Sequence, residues 1–201
     1  KPAFYKVGIT RNQVNRNDFK LTPLTESEEN FTFVAIGDPQ CSNNKEVSRY
    51  QNETINDIVN TLSSNQIAGK YKNAYAMTLG DIVNDTPEMW EKLVASMENV
   101  QIGSNKYLPI FQCIGNHDHN AKASSDMTAV ENFNSHFGPT DYSFNRGKAH
   151  IVVMDNVVCT YTNNKSWSYE AGFSNAQLAW LKADLDAVEN KADKMLILCC
   201  H

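Results

Sequence analysis

Three times along this chain an apolar run rich in β-branched and aromatic residues stops at a glycine followed at once by Asp or Asn. Phe31 to Ile36 ends at Gly37-Asp38, Ala74 to Leu79 at Gly80-Asp81, and Leu108 to Ile114 at Gly115-Asn116. Short apolar runs closed by turn residues read as buried strands. Between the first two, Val47, Tyr50, Thr54, Ile55, Ile58 and Leu62 recur at three- and four-residue steps, which predicts an amphipathic helix over residues 46–62. Between the second and third, Thr86-Pro87 reads as an N-cap with proline at the first helical position, and Trp90, Leu93, Val94 and Met97 line the helix that follows. Strands alternating with helices specify an α/β chain.

The remaining pattern fits one unit. A short helix over residues 130–137 stops at Gly138-Pro139, and residues 141–144 and 150–154 flank Asn145-Arg146-Gly147-Lys148 as a β-hairpin. Ser174 with Gln177 makes a capping box, with Leu178, Leu181 and Leu185 as the apolar stripe of its helix. Met195 to Cys200 reads as a last buried strand, with His201 at its end. No repeat or Gly/Ser-rich linker divides the 201 residues, so the expectation is a domain over residues 31–201 preceded by a polar segment, residues 1–30, forming an edge strand or hairpin.

Composition excludes several classes. A net charge of −5 disfavours a nucleic-acid-binding surface. The apolar run from Met195 falls far short of the roughly 20 residues that span a bilayer. The five cysteines lack C-x-x-C pairs, which argues against a zinc knuckle and for buried small apolar residues. Four Asn-x-Ser/Thr tripeptides, at Asn30, Asn52, Asn84 and Asn164, are what an Asn-rich chain produces by chance. The chain opens at Lys1 without an apolar leader. It reads as soluble, with removal of an export leader left open.

In open α/β sheets ligands sit beyond the carboxyl ends of the strands. Asp38, Asp81, Asn116 with His117, and His201 all fall at such ends. Two carboxylates, an amide oxygen and an imidazole form a mixed oxygen and nitrogen set suited to Mn, Fe, Zn or Mg rather than a thiophilic metal.

Taken in order, Gly37-Asp38-Pro39-Gln40, Gly80-Asp81-Ile82-Val83-Asn84-Asp85, Gly115-Asn116-His117-Asp118 and a strand ending in His201 resemble the motifs of the calcineurin-like metallophosphoesterase superfamily. The family pattern runs D-x-H, G-D-x-x-x-D, G-N-H-D/E, a strand-end His and a closing G-H-x-H. The resemblance covers residues 31–201 and includes the helix entry at Gly172-Phe173-Ser174. It implies mixed β-sheets sandwiched between helices, an α-β-β-α architecture, and two divalent metal ions. Asp38 and Gln40 would serve the first metal, Asp81 would bridge both, and Asn116 and His201 would serve the second. The implied reaction is hydrolysis of a phosphate ester by a metal-bridging hydroxide, with His117 as general acid and Asp118 orienting its imidazole.

Two departures stand out. Gln40 replaces the usual histidine, a neutral amide being the poorer ligand for transition metals, and no G-H-x-H follows His201. The expectation is therefore the N-terminal portion of a longer domain, and the competing reading is a non-catalytic metal- or ligand-binding domain that retains the fold. Plainer roles go to the remaining candidates. Asp85 supports a helix entry, His119 is an exposed loop residue, His136 and His150 are structural, and Asp155 is a turn residue. Trp90 and Trp180 are core residues, whereas Trp167 and Tyr169 are candidates to line a substrate pocket.

Overall fold

The computed structural model describes residues 11–15, 27–64, 73–104, 106–161 and 167–201. β1 (Phe31–Ile36) is followed by α1 (Asn44–Arg49), a π-helical turn over Tyr50–Ile55, and α2 (Asn56–Ser63), so the predicted amphipathic helix is present with a widened turn inside it. Asn43 caps it, its Oδ1 accepting from the amides of Lys45 and Glu46 at 3.0 and 3.1 Å. Such a cap contributes about 1 kcal/mol. β2 (Asn73–Leu79) pairs parallel to β1, and α3 (Trp90–Met97) enters through a single 3-10 turn, Pro87–Met89.

Thr86 departs from its expected role. Its hydroxyl donates to the Cys41 carbonyl at 3.0 Å and caps nothing, because the loop after β1 passes beside it. A small antiparallel ribbon, β3 (Gln101–Gly103) and β4 (Lys106–Tyr107), leads to β5 (Ile110–Cys113). β5 starts later than the apolar run does, after Pro109, which lacks an amide proton for the ladder but accepts from the Ala76 amide at 2.9 Å. The first sheet is parallel, in the order β1-β2-β5.

Two short helices, α4 (Asp126–Ala129) and α5 (Glu131–Phe137), precede a hairpin of β6 (Tyr142–Arg146) and β7 (Ala149–Val153). Its turn is tighter than expected, with Asn145 opposite His150 and only Gly147 and Lys148 between the strands. Gly147 has φ +51°, and a Cβ there would lie 2.1 Å from the Glu28 carbonyl oxygen. A second hairpin, β8 (Val157–Tyr161) with β9 (Trp167–Ala171), stands apart from both main sheets. α6 (Asn175–Ala187) begins at the predicted capping box, where Ser174 Oγ accepts from the Gln177 amide at 3.2 Å and Gln177 Oε1 from the Ser174 amide at 2.9 Å. β10 (Met195–Cys199) joins β7 in parallel, completing a mixed second sheet in the order β10-β7-β6.

Period-two alternation places β2 between two cores. Ala74 and Ala76 face the helices, packed with Val47, Ile55, Trp90, Leu93 and Phe133. Tyr75 and Met77 face the second sheet and meet Phe111, Cys113, Ile151, Val153 and Cys199. On the outer side of the second sheet, Asp184 of α6 accepts from Ser143 Oγ at 2.5 Å and pairs with His150 Nε2 at 2.8 Å. The layers are therefore helices, sheet, sheet and helix, the mixed α/β sandwich that the motifs imply.

Burial on this outer side differs from expectation. Leu196 and Leu198 are exposed because they lie on the outward face of β10, whose Ile197 and Cys199 point between the sheets, and Met195 is exposed at the start of the strand. α6 buries no residue fully; Leu178 is exposed and Trp180 only partly covered. Of the cysteines, Cys41, Cys113, Cys159 and Cys199 are buried and Cys200 is partly so, all as free thiols. Most of the edge strand or hairpin expected over residues 1–30 lies outside the described residues. Of its described part, Glu28 binds the Tyr75 hydroxyl and Arg146 Nη1, the latter at 3.1 Å. No helix among the described residues is long and apolar enough to cross a membrane.

Candidate active site

The ends of β1 and β2 share an unusual backbone. Asp38, Gln40, Asp81 and Asp85 have φ between +40° and +56°, the left-handed region that costs a residue with a Cβ roughly 1–2 kcal/mol. The other described non-glycine residues in that region are asparagines, Asn12, Asn99 and Asn190. Strain gathered at two neighbouring strand ends is held by cross-links between the loops. The Gln40 amide donates to the Asp81 carbonyl at 2.7 Å, and Cys41 bridges to Val83.

Two glycines let the chain segments meet. A Cβ on Gly115 would lie 2.2 Å from the Asp81 amide nitrogen and 2.3 Å from Asp81 Oδ1. A Cβ on Gly80, itself at φ +93°, would lie 2.6 Å from His201 Nδ1.

Within that frame Asp38, Asp81 and His201 each offer one ligand atom, all within 4.8 Å of one another. Asp81 is buried. Its Oδ1 accepts from the His117 amide at 3.0 Å, and its Oδ2 accepts from Gln40 Nε2 at 2.8 Å and lies 3.5 Å from His201 Nε2. His201 Nδ1 is 2.9 Å from the Leu79 carbonyl and 3.6 Å from Asp38 Oδ1, while Nε2 is 3.0 Å from Asn116 Oδ1. Both ring nitrogens thus face oxygens, yet a neutral imidazole donates from only one. With Nδ1–H given to Leu79, the Nε2 lone pair points toward Asn116 and Asp81, an arrangement that a cation among them satisfies. Two carboxylates, an amide oxygen and an imidazole nitrogen also match what Mn, Fe, Zn and Mg accept, so the residues present fit divalent metal.

Asp38, Asp81 and His201 are therefore neighbours, with Gln40 hydrogen-bonded to Asp81 and Asn116 to His201. Gln40, however, turns its amide nitrogen to Asp81.

His117 is half-buried beside this group, and its Nδ1 is 2.9 Å from Asp85 Oδ2. Asp85 is fixed in turn, its amide donating to the His117 carbonyl at 3.2 Å. The carboxylate that orients the imidazole is thus Asp85, not Asp118. Asp118 is buried, and both of its oxygens are engaged by backbone: Oδ1 by the amides of Ile82 and Val83 at 2.9 and 3.0 Å, Oδ2 by that of Gly115 at 2.9 Å. Burial pushes its carboxyl up to about 7 against the opposing pull of these three amides. Asp85 had a legible signal, as the second acid of Gly80-Asp81-Ile82-Val83-Asn84-Asp85, but a carboxylate before a helix is as readily an entry residue.

His119 is the other departure from the sequence reading. It is only 3% exposed, with Nδ1 2.9 Å from the Gly115 carbonyl and Nε2 3.2 Å from Asp155 Oδ2. Burial alone would lower its pKa, but the Asp155 hydrogen bond and charge outweigh that and hold it above the ordinary value. Nothing local in the sequence distinguishes it from a loop histidine, because its partner lies 36 residues away. His136 and His150 are structural as expected, one stacked on Trp90 at 5.5 Å and the other held between Asn145 and Asp184. Trp167 packs with Ala129, Val157 and Cys159, while the Tyr169 ring stays exposed.

The family profile described as calcineurin-like phosphoesterase matches residues 31–201, which includes every strand end described above. The chain belongs to that family. Comparison with curated proteins returns no match. Calcineurin-like phosphoesterases are in general hydrolases of phosphate esters that bind divalent metal, and in this member the Asp38, Asp81 and His201 group is the set of described residues suited to hold one.

Proposed function

We propose that this chain hydrolyses a phosphate ester at the group formed by Asp38, Asp81, Asn116 and His201, with Gln40 beside them and His117 as general acid. Two divalent ions bound there would supply charge to neutralise the phosphoryl oxygens and to activate a water. The remaining steps belong to the protein's own side chains. With Nδ1 bonded to Asp85, which fixes the orientation of the ring, His117 keeps Nε2 for the substrate. As the bond from water oxygen to phosphorus forms and the ester bond breaks, the Nε2 proton passes to the departing oxygen. The His117 amide bond to Asp81 Oδ1 sets the acid at a fixed place relative to the carboxylate group.

The observation that carries this reading is the His117–Asp85 pair standing directly beside three converging ligand groups. A domain that only bound metal or ligand, the competing reading, has no use for a proton donor held by a carboxylate. The test is hydrolysis of an alkyl phosphate with Mn²⁺, with metal content measured in parallel. His117→Ala is expected to lower turnover about 10²- to 10⁴-fold and keep its metal. Loss of metal would make His117 a ligand, and no hydrolysis by the wild type would leave the binding reading.

A further inference from the structure

A cavity of about 160 Å³ opens beside His117 and Asp85 on a side that none of Asp38, Asp81, Asn116 and His201 lines. Its buried lining combines apolar Val83 and Trp90 with Asp118 and His119, whose side-chain oxygens and ring nitrogens are already engaged within the protein. Val83 and Trp90 are buried there, and the Trp90 indole is stacked on His136 and met edge-on by Phe133 and Phe137. Its rim is mixed, with Pro87 on one side and Ala121, Lys122 and Asn132 on the other. Lys122 forms no ion pair among the described residues, so its ammonium is available to a polar substituent.

The geometry points to this cavity as the leaving-group site, taking an alcohol built on one six-membered ring. The assignment rests on the phosphoesterase reading and extends it to substrate class. In an in-line displacement the nucleophile enters on the metal side and the departing oxygen leaves on the opposite face, where the acid stands. What is attached to that oxygen must then occupy the space beyond His117. The volume is close to the roughly 150 Å³ of an engineered apolar cavity that holds one benzene. A cavity of this volume holds one ring, with Val83 and Trp90 as its buried apolar lining. The polar rim places hydrogen-bonding substituents of the ring at the mouth, near Lys122 and Asn132.

The test compares benzyl phosphate with ethyl phosphate, whose alcohols are of similar acidity, in the wild type and in Ala121→Phe and Lys122→Trp, both of which add bulk at exposed rim positions. The wild type should favour benzyl phosphate in kcat/KM by at least about tenfold, a typical discrimination by an apolar pocket, and both variants should bring that ratio toward one. A wild-type ratio near one, or a preference that survives both variants, overturns the assignment. Binding of benzylphosphonate, followed by the Trp90 indole NMR signal, separates this from the hydrolase reading. If neither ester is hydrolysed, that reading fails, yet an indole shift lost in Ala121→Phe still supports the pocket, and no shift overturns it.

Discussion

The two oxygens of Asp81 have different neighbours, the His117 amide on Oδ1 and the Gln40 side-chain amide on Oδ2 with His201 close by. In the proposed site this carboxylate serves both metal positions, so Asp81→Asn is expected to lose more bound Mn²⁺ than Asp38→Asn. Elemental analysis of the purified variants checks it, and wild-type metal content in Asp81→Asn would remove the shared role. Within the proposed site Gln40 would be the weakest ligand, since its amide nitrogen, a donor, faces Asp81. Gln40→His puts a better ligand for Mn, Fe or Zn there, and histidine is among the residues that tolerate positive φ. Tighter metal binding by titration is the expected result; unchanged affinity would place residue 40 outside the metal shell.

Among the elements, the loops after β2 and β5 are joined by the His117 contacts to Asp81 and Asp85 and by Asp118, whose carboxylate collects amides from Ile82 and Val83 on one loop and Gly115 on its own. Both oxygens accept from backbone amides, which offsets part of the cost of burying the acid there. Asp118→Asn must set its amide nitrogen against one of those N–H groups. The expected cost is about 1–3 kcal/mol of stability, the penalty of a buried donor without a partner. Chemical denaturation measures it. A neutral effect would mean that the His117 contacts to Asp81 and Asp85 hold the two loops without Asp118.

For the molecule as a whole, the two sheets are tied at their functional ends by His119, which follows β5, and Asp155, which follows β7. The folded-state pKa of His119 lies above its ordinary value, so the native state holds this proton more tightly than the unfolded chain does. Its contribution is fully present below the unfolded pKa of about 6.5 and is lost as pH rises through the folded one. Urea unfolding at about pH 5.5 and about pH 8.5 should therefore show wild type losing its advantage over His119→Gln at the higher pH. A gap independent of pH would assign His119 a packing role only.

The local chemistry of the chain was legible in sequence because it is written in short-range signals. β-branched runs closed by Gly-Asp or Gly-Asn, the Ser174–Gln177 capping box and the 3.6-residue period before Ser63 each act within a few residues, and they put Asp38, Asp81, Asn116 and His201 at strand ends. What those signals do not carry is which groups meet across loops. Asp85 against His117, Asp118 against the Ile82 and Val83 amides, and His119 against Asp155 are contacts between segments that sequence separation conceals and sheet order creates. The exposure of Leu196 and Leu198 is of the same kind, for an apolar run specifies a strand, but the packing of the layers decides which of its two faces is covered.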